Sequence, residues 1–382
     1  MDFELTNRQK QIRFAAREFA EGELVAIGKE CDVKEDFPRE LVKKAAQLGF
    51  IGVFIKKEYG GLGLGFIDHA VILEEFWRVD PGLGQVLCSV TFGSEELQLF
   101  GSEEQKKKYL PRLVKGDWIM GFAITEPEAG SDTASAMSSA QRVGDEYVIN
   151  GNKVMITNGT VANFLLVYCL THPEVTSKSK RHSIILVETD RPGYKADRIH
   201  GKMGIRASDT ANIYFNNVRV PKENLVGTEG NGFTQLMKFF DHSRAWIAAN
   251  GVGLAQGAME QAINYVKQRK QFGQTIASFQ ITQFKIAEMA TLIETARSLT
   301  HKACWNLDRG SIDPQLSAMA KWWSCNVAVR VVDEALQLHG GYGYLDDYPI
   351  ERFYRAAKIL EIYEGTKEVD KMAIGRRILG PV

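Results

Sequence analysis

The chain has no excess of either charge: Lys plus Arg and Asp plus Glu each number 47 across 382 residues. A whole-molecule field that would gather nucleic acid or an anionic membrane is therefore missing, and any anionic ligand has to be held locally. Cysteine is sparse. The five residues, Cys31, Cys88, Cys169, Cys304 and Cys325, form no Cys-x-x-Cys pair and stand near no histidine at a metal-ligand spacing. That argues against a disulfide framework and gives no metal site. No apolar run approaches the length of a bilayer span, and the opening Met1-Asp2-Phe3-Glu4-Leu5 has neither a basic nor an apolar stretch. The expectation is a cytoplasmic protein without membrane insertion. Internal repeats, low-complexity tracts and obvious flexible linkers are also absent.

What is present is apolar material, 45% of the residues, enough for a sizeable core in two or three lobes. Over residues 1–116 the apolar positions recur at helical spacing, as in Ile12, Ala16, Phe19 and Leu41, Ala45, Leu48. Pro38 suits a helix start, Gly49 a stop, and Ser102-Glu103-Glu104-Gln105 a capping box. Over 117–228 the pattern changes to short strand-like runs, among them Tyr147-Val148-Ile149, Phe164 to Cys169, Ile184 to Val187 and Ile213-Tyr214-Phe215. Asn150-Gly151 predicts a tight hairpin between two of them. Over 229–382 helical spacing returns in four long stretches, roughly 232–268, 279–307, 312–339 and 347–377. Small residues in Ala248 to Ala262 allow close helix packing. The fold class is α+β, mainly α, in the order helical, β, helical.

Two features suggest chemistry and lose it on inspection. Gly60-Gly61-Leu62-Gly63-Leu64-Gly65 follows no predicted strand and lacks the dinucleotide-loop spacing, so it reads as a glycine-rich connection. Asp241, His242 and Ser243 are consecutive on one helix and point in different directions, which rules out a triad. Other segments keep two readings. Ile124 to Asp132 is a turn-rich stretch that can present hydroxyls and backbone N–H groups, or an ordinary turn. Met155-Ile156-Thr157-Asn158-Gly159 ends a strand with a hydroxyl. Arg269-Lys270-Gln271-Phe272-Gly273 sets a bidentate cation beside an aromatic ring, suited to pyrophosphate and adenine, or simply ends a helix. The glycines of Gln337-Leu338-His339-Gly340-Gly341-Tyr342-Gly343 would let backbone N–H groups approach a phosphate, or serve as a cap. Glu364, in Tyr363-Glu364-Gly365-Thr366, stands after the apolar Ile359-Leu360-Glu361-Ile362; burial would raise its pKa toward that of a base.

Taken in order, these segments resemble the acyl-CoA dehydrogenase family along essentially the whole chain. The matching signatures are Glu58-Tyr59-Gly60-Gly61, Ile124 to Asp132, Ile156-Thr157-Asn158-Gly159, Arg269 to Gly273, Phe279-Gln280, Gln337 to Gly341 and Ile362-Tyr363-Glu364-Gly365-Thr366. The resemblance implies an N-terminal helical domain, a central β-barrel-like domain and a C-terminal four-helix bundle, assembled as a homotetramer. It implies FAD, with Thr125, Ser131 and Thr157 around the flavin ring and phosphates. Arg269, Phe272, Gln280, Gln337, Gly340 and Gly341 match positions that hold adenine and pyrophosphate, some across a subunit interface, and Thr366 and Glu368 match the adenosine end. Ser131, Asp241 and Arg244 match positions near CoA, and Thr91 and Gly365 complete the substrate set. One position departs from the pattern: the residue before Ile156 is commonly tryptophan, packed on the flavin, and here is Met155.

By the same resemblance Glu364 takes the α-proton of an acyl-CoA thioester while the β-hydrogen leaves as hydride to the flavin. The alternative base positions carry Ser243 and the carboxylate-free Ser89-Val90-Thr91-Phe92. Electrons are expected to leave through an electron-transferring flavoprotein. Val79 to Leu99, which lines the acyl pocket in relatives, has no arginine or lysine. That favours an apolar short, branched or alicyclic acyl group such as cyclohexane-1-carboxyl-CoA. The rivals are an enoyl-CoA reductase, an acyl-CoA oxidase and a flavin- or CoA-binding relative without chemistry.

Overall fold

The computed structural model describes residues 4–380. Its first lobe is helical: Asn7–Phe19, Val25–Lys34, Arg39–Gln47, Phe66–Val79, Pro81–Ser89, Ser94–Phe100 and Glu103–Val114. Of the three predicted helix signals, Pro38 stands one residue ahead of its helix, as the N-cap, and the other two act as read. The Ser102 hydroxyl accepts the Gln105 N–H at 3.2 Å and the Gln105 side chain returns to the Ser102 N–H at 3.0 Å, closing a capping box. Gly49 ends its helix at φ 78°. Phe66–Val79 is buried around most of its circumference, so it runs through the protein rather than over it.

The middle lobe is one sheet whose order runs Tyr194–Arg198, Thr210–Pro221, Glu146–Thr157, Ser139–Val143, Phe164–Leu170, His182–Glu188, Leu225–Val226, with Met120–Ala123 parallel to Phe164–Leu170. Every residue of Phe164–Leu170 is buried, because both sheet faces are covered. Leu165, Val167 and Cys169 meet Ile149, Ile213 and Val218 in a cluster inside the curled sheet. Phe164, Leu166 and Tyr168 face the helices with Leu97, Tyr109 and Phe239.

The predicted Asn150-Gly151 hairpin is not there. Strand Glu146–Thr157 runs through it, and the hairpin lies at Gly144-Asp145, with Val143 opposite Glu146. Asn150 and Gly151 instead form an irregularity against Thr210–Pro221, where the Asn150 carbonyl oxygen of the side chain accepts the Asn217 N–H at 2.8 Å. A Cβ on Gly151 would stand 2.5 Å from the Ser138 hydroxyl oxygen, so glycine is required there for close approach.

The last lobe contains helices Gly232–Gln268, Gln280–Asp308, Pro314–His339, Ile350–Leu360 and Lys367–Leu379. The expected fourth long stretch is therefore two helices, broken by the turn that carries Glu364. Gly232–Gln268 is the spine: a Cβ on Gly251 would lie 2.8 Å from the Ser324 backbone, and one on Gly253 would lie 2.3 Å from the Glu74 carbonyl oxygen. Those two contacts lock it to Pro314–His339 on one side and Phe66–Val79 on the other. Among the described residues no helix is long and apolar enough to cross a membrane, and no cluster of His, Cys, Asp or Glu could hold a metal.

Candidate active site

The break between Ile350–Leu360 and Lys367–Leu379 is made by consecutive left-handed residues, Glu364 at φ 57° and Gly365 at φ 98°. For a glutamate that conformation costs roughly 1 kcal/mol or more, so the surroundings must hold it. They do so through the carbonyls: Arg244 Nε donates to the Glu364 carbonyl at 3.3 Å, and the Lys321 ammonium donates to that of Gly365. The Thr366 hydroxyl then caps the next helix by accepting the Val369 N–H at 3.4 Å. The Glu364 N–H itself has no acceptor among the described residues.

The Glu364 side chain turns inward. Ser243, fully buried, donates its hydroxyl to Glu364 Oε2 at 2.7 Å. The glutamate is only partly exposed, and protein surrounds the rest of it. The desolvation raises its pKa to about 7, against the Ser243 hydrogen bond and the Arg244 and Lys321 charges, which hold it down. Beside it the Tyr363 hydroxyl donates to Gln85 Oε1 at 3.2 Å and accepts from Asn250 Nδ2 at 3.3 Å. Phe92 and Tyr363, both partly exposed, pack on the cluster containing Trp246 and Ala249. Thr91 is buried at 5% exposure, and Asp241, one turn before Arg244, has its pKa raised to about 6 by burial.

The remaining sequence-selected residues fall into two groups. Thr125 and Thr157 belong to one place on the sheet: the Val154 N–H donates to the Thr125 carbonyl at 2.9 Å, and Met155 between them is 66% exposed at φ 58°. Ser131 lies exposed on the loop that follows Thr125. The second group gathers at the other end of the bundle. Arg269 lies over the Tyr342 ring at 5.4 Å, which joins its turn to Gly340 and Gly341. Phe272, 92% exposed, meets Phe279 at 6.1 Å, immediately before Gln280. Gln337, Gly340 and Gly341 are exposed, and a Cβ on either glycine would meet no atom within 4 Å. Glu368 is exposed in the first turn of the last helix. Arg244 and Arg269 are 25 residues apart on and just beyond helix Gly232–Gln268, roughly 38 Å at 1.5 Å per residue. The second group thus gathers past the C-terminal end of that helix, whereas Ile124, next to Thr125, shares a cluster with Leu236 and Phe239 near its start.

Comparison with known proteins bears directly on this layout. Profiles of the acyl-CoA dehydrogenase N-terminal, middle and C-terminal domains match residues 6–117, 121–218 and 230–379. The chain is 42% identical over 379 residues to the short-chain-specific acyl-CoA dehydrogenase of Clostridium acetobutylicum, covering 99% of this chain and 100% of that one. The chain belongs to the acyl-CoA dehydrogenase family. Another relative, the NADH-dependent acryloyl-CoA reductase of Anaerotignum propionicum, is 41% identical, with 99% and 96% coverage. Butyryl-CoA dehydrogenase from Megasphaera elsdenii superposes at a TM-score of 0.95 with 36% identity, over 99% of this chain and 100% of that one. A glutaryl-CoA dehydrogenase of Mycobacterium smegmatis, solved with FADH2, superposes at 0.93 with 28% identity, over 99% and 96%. As a family member the protein is a flavoprotein oxidoreductase acting on CH–CH donors, and FAD is the family's cofactor.

Against that family background, four groups near the site escaped the sequence reading. Lys321 and Asp370 are buried beneath the Glu364 turn, and Glu95 and Glu96 are buried above Trp246. Trp246 Nε1 donates to Glu95 Oε1 at 2.7 Å, and Gln235 Nε2 donates to Glu96 Oε1 at 3.1 Å. A double Glu in a short helix reads as a solvated first turn; only three-dimensional packing reveals otherwise. Burial pushes Glu95 to about 7 and Glu96 to about 8. Both folded values lie above the ordinary carboxylate value of 4.5, so the fold binds extra protons, and this stability is fully present below that value and is lost progressively as pH rises from there through 7 to 8. Glu96→Gln is expected to raise the melting temperature at pH 9 and leave it nearly unchanged at about pH 4, below the unfolded carboxylate value, measured by scanning calorimetry. A tenfold change in proton affinity is about 1.4 kcal/mol, so the alkaline gain amounts to roughly a few kcal/mol.

Proposed function

We propose that the protein dehydrogenates a saturated acyl-CoA thioester between its α and β carbons, with Glu364 as the base. The observation that carries this reading is the inward carboxyl, desolvated to a pKa of about 7 and oriented by Ser243 at 2.7 Å. A carboxylic acid with that proton affinity exchanges protons readily near neutral pH. The free Glu364 N–H, on a turn pinned by Arg244 and Lys321, is a fixed donor for the thioester carbonyl, where negative charge develops as the α-proton leaves. Asp241 and Arg244 stand on the CoA side. Gly365 completes the backbone facing the thioester.

The residues present suit FAD. Thr125, Ser131 and Thr157 offer hydroxyls beside the exposed, polarisable Met155, which can pack on an aromatic ring system in place of tryptophan. When bound, FAD supplies the acceptor for the β-hydrogen and its electron pair. Arg269, Phe272, Gln280, Gln337, Gly340 and Gly341 gather past the C-terminal end of helix Gly232–Gln268, away from the start of that helix against which the sheet carrying Thr157 packs. That group serves a neighbouring subunit's site, in keeping with the homotetramer typical of the family. Thr366 and Glu368 fall at the adenosine end, and an electron-transferring flavoprotein reoxidises the enzyme.

The acyl group is short, branched or alicyclic. Phe92 and Tyr363 flank the site, and Val79 to Leu99 brings no cation to it. Anaerobic addition of butyryl-CoA and cyclohexane-1-carboxyl-CoA is expected to bleach the flavin absorbance with release of the 2-enoyl-CoA. A panel of thioesters none of which bleaches it overturns the proposal. Turnover that consumes oxygen instead identifies an oxidase.

A further inference from the structure

The turn that carries Glu364 rests on three charged groups removed from water. Lys321 and Asp370 are fully buried, and Arg244 is 8% exposed. Asp370 Oδ2 lies 3.3 Å from Lys321 Nζ, and Oδ1 lies 3.3 Å from Arg244 Nε. Each cation also reaches the turn, Arg244 at the Glu364 carbonyl and Lys321 at that of Gly365. The three come from three helices, Gly232–Gln268, Pro314–His339 and Lys367–Leu379. A buried charge cluster contributes little net stability compared with apolar packing of the same shape. Neither Asp370 oxygen completes a well-formed hydrogen bond, so this cluster is an especially poor stabiliser. Its position under the carboxyl is what distinguishes it.

We infer that Lys321 and Asp370 are positioning residues that hold the Glu364 turn and, by their opposite charges, set the pH at which its carboxyl ionises. The inference rests on the reading of Glu364 as the base. The groups facing that carboxyl are the Ser243 hydroxyl, Arg244 on the same helix, Lys321, Asp370, and the Cys88 thiol, Glu95 and Tyr363 across the pocket. Lys321 and Arg244 favour the carboxylate and Asp370 opposes it. Loss of the aspartate charge leaves two cations unopposed and moves ionisation to lower pH. Loss of the lysine charge moves it to higher pH. General damage to the turn would move both variants the same way.

The test is the pH dependence of kcat/KM for the FAD-loaded enzyme and for Asp370→Asn, Lys321→Met and Lys321→Arg. The acid limb is expected to move down in the first and up in the second by roughly half to one pH unit, from charges at this range. It should return toward the wild-type position in the third. Limbs that shift together, or stay in place, overturn the inference. Should the single variants not fold, the apolar double variant Lys321→Met/Asp370→Leu removes the pair without leaving a lone charge. Its limb is expected near the wild type with kcat reduced at least about tenfold, since the Gly365 carbonyl has lost its donor; wild-type kcat there overturns the positioning role. Glu364→Gln separates the two readings. If it is inactive and the limbs do not separate, this inference alone fails, whereas an active Glu364→Gln removes the base on which it rests.

Discussion

Glu364→Gln is expected to lower turnover by at least about a hundredfold while leaving flavin content and thioester affinity close to wild type, because positioned proton transfer is worth roughly 10²–10⁴. Glutamine keeps the side-chain volume, and its carbonyl oxygen can accept the Ser243 hydroxyl that now bonds Oε2 at 2.7 Å. The anchors of the turn act on backbone carbonyls and so survive the change. What disappears is the group able to carry a proton. The measurement is steady-state turnover with an artificial electron acceptor, alongside flavin absorbance and spectral titration with the thioester. Residual turnover above about one percent would move the base elsewhere. Glu95, two-hundredths exposed and bonded to Trp246 one turn from Ser243, would then be the carboxyl to replace.

The helical lobes were readable because their information is local: a repeating apolar stripe, a capping box, a glycine stop. The fold class and the order of lobes follow from that and from the change of period in the middle. Asn150-Gly151 misled because a sequence signal for positive φ fits a strand irregularity as well as a hairpin, and the neighbouring Gly144-Asp145 took the turn. Glu364 could be singled out from its apolar neighbours, but its partner Ser243 stood in the sequence only as a residue unable to be a base. The pairings Lys321–Asp370, Glu95–Trp246 and Lys153–Glu126 cannot be read locally, because each joins residues far apart in the chain. Glu95 and Trp246 are 151 positions apart. For Lys321 the one weak mark is a lysine in an otherwise small and apolar helical run, Ala318-Met319-Ala320-Lys321.

Lys153→Met is expected to cost roughly 3–5 kcal/mol and to release flavin, the effect of removing one member of a buried ion pair. Lys153 is fully buried, with its ammonium donating to the Ile124 carbonyl at 2.8 Å, the Tyr168 carbonyl at 2.7 Å and Glu126 Oε1 at 2.8 Å. Glu126 in turn accepts the N–H groups of Met137 at 2.7 Å and Ser138 at 2.9 Å. Methionine fills the channel but donates nothing, so two carbonyls lose their partner and a carboxylate is left without its cation. Thr125 lies between two of the affected residues, and Ser131 lies within the loop that Glu126 ties back at Met137 and Ser138. The loss therefore passes to the hydroxyls proposed to face the flavin. The checks are thermal unfolding by circular dichroism and flavin absorbance after gel filtration. Adding Glu126→Gln removes the stranded charge and should recover part of the stability, yet not the flavin, because the amide cannot restore the ammonium's hold on Ile124. Recovery of both together would mean that the pair serves the fold of the sheet and has no hold on the loop.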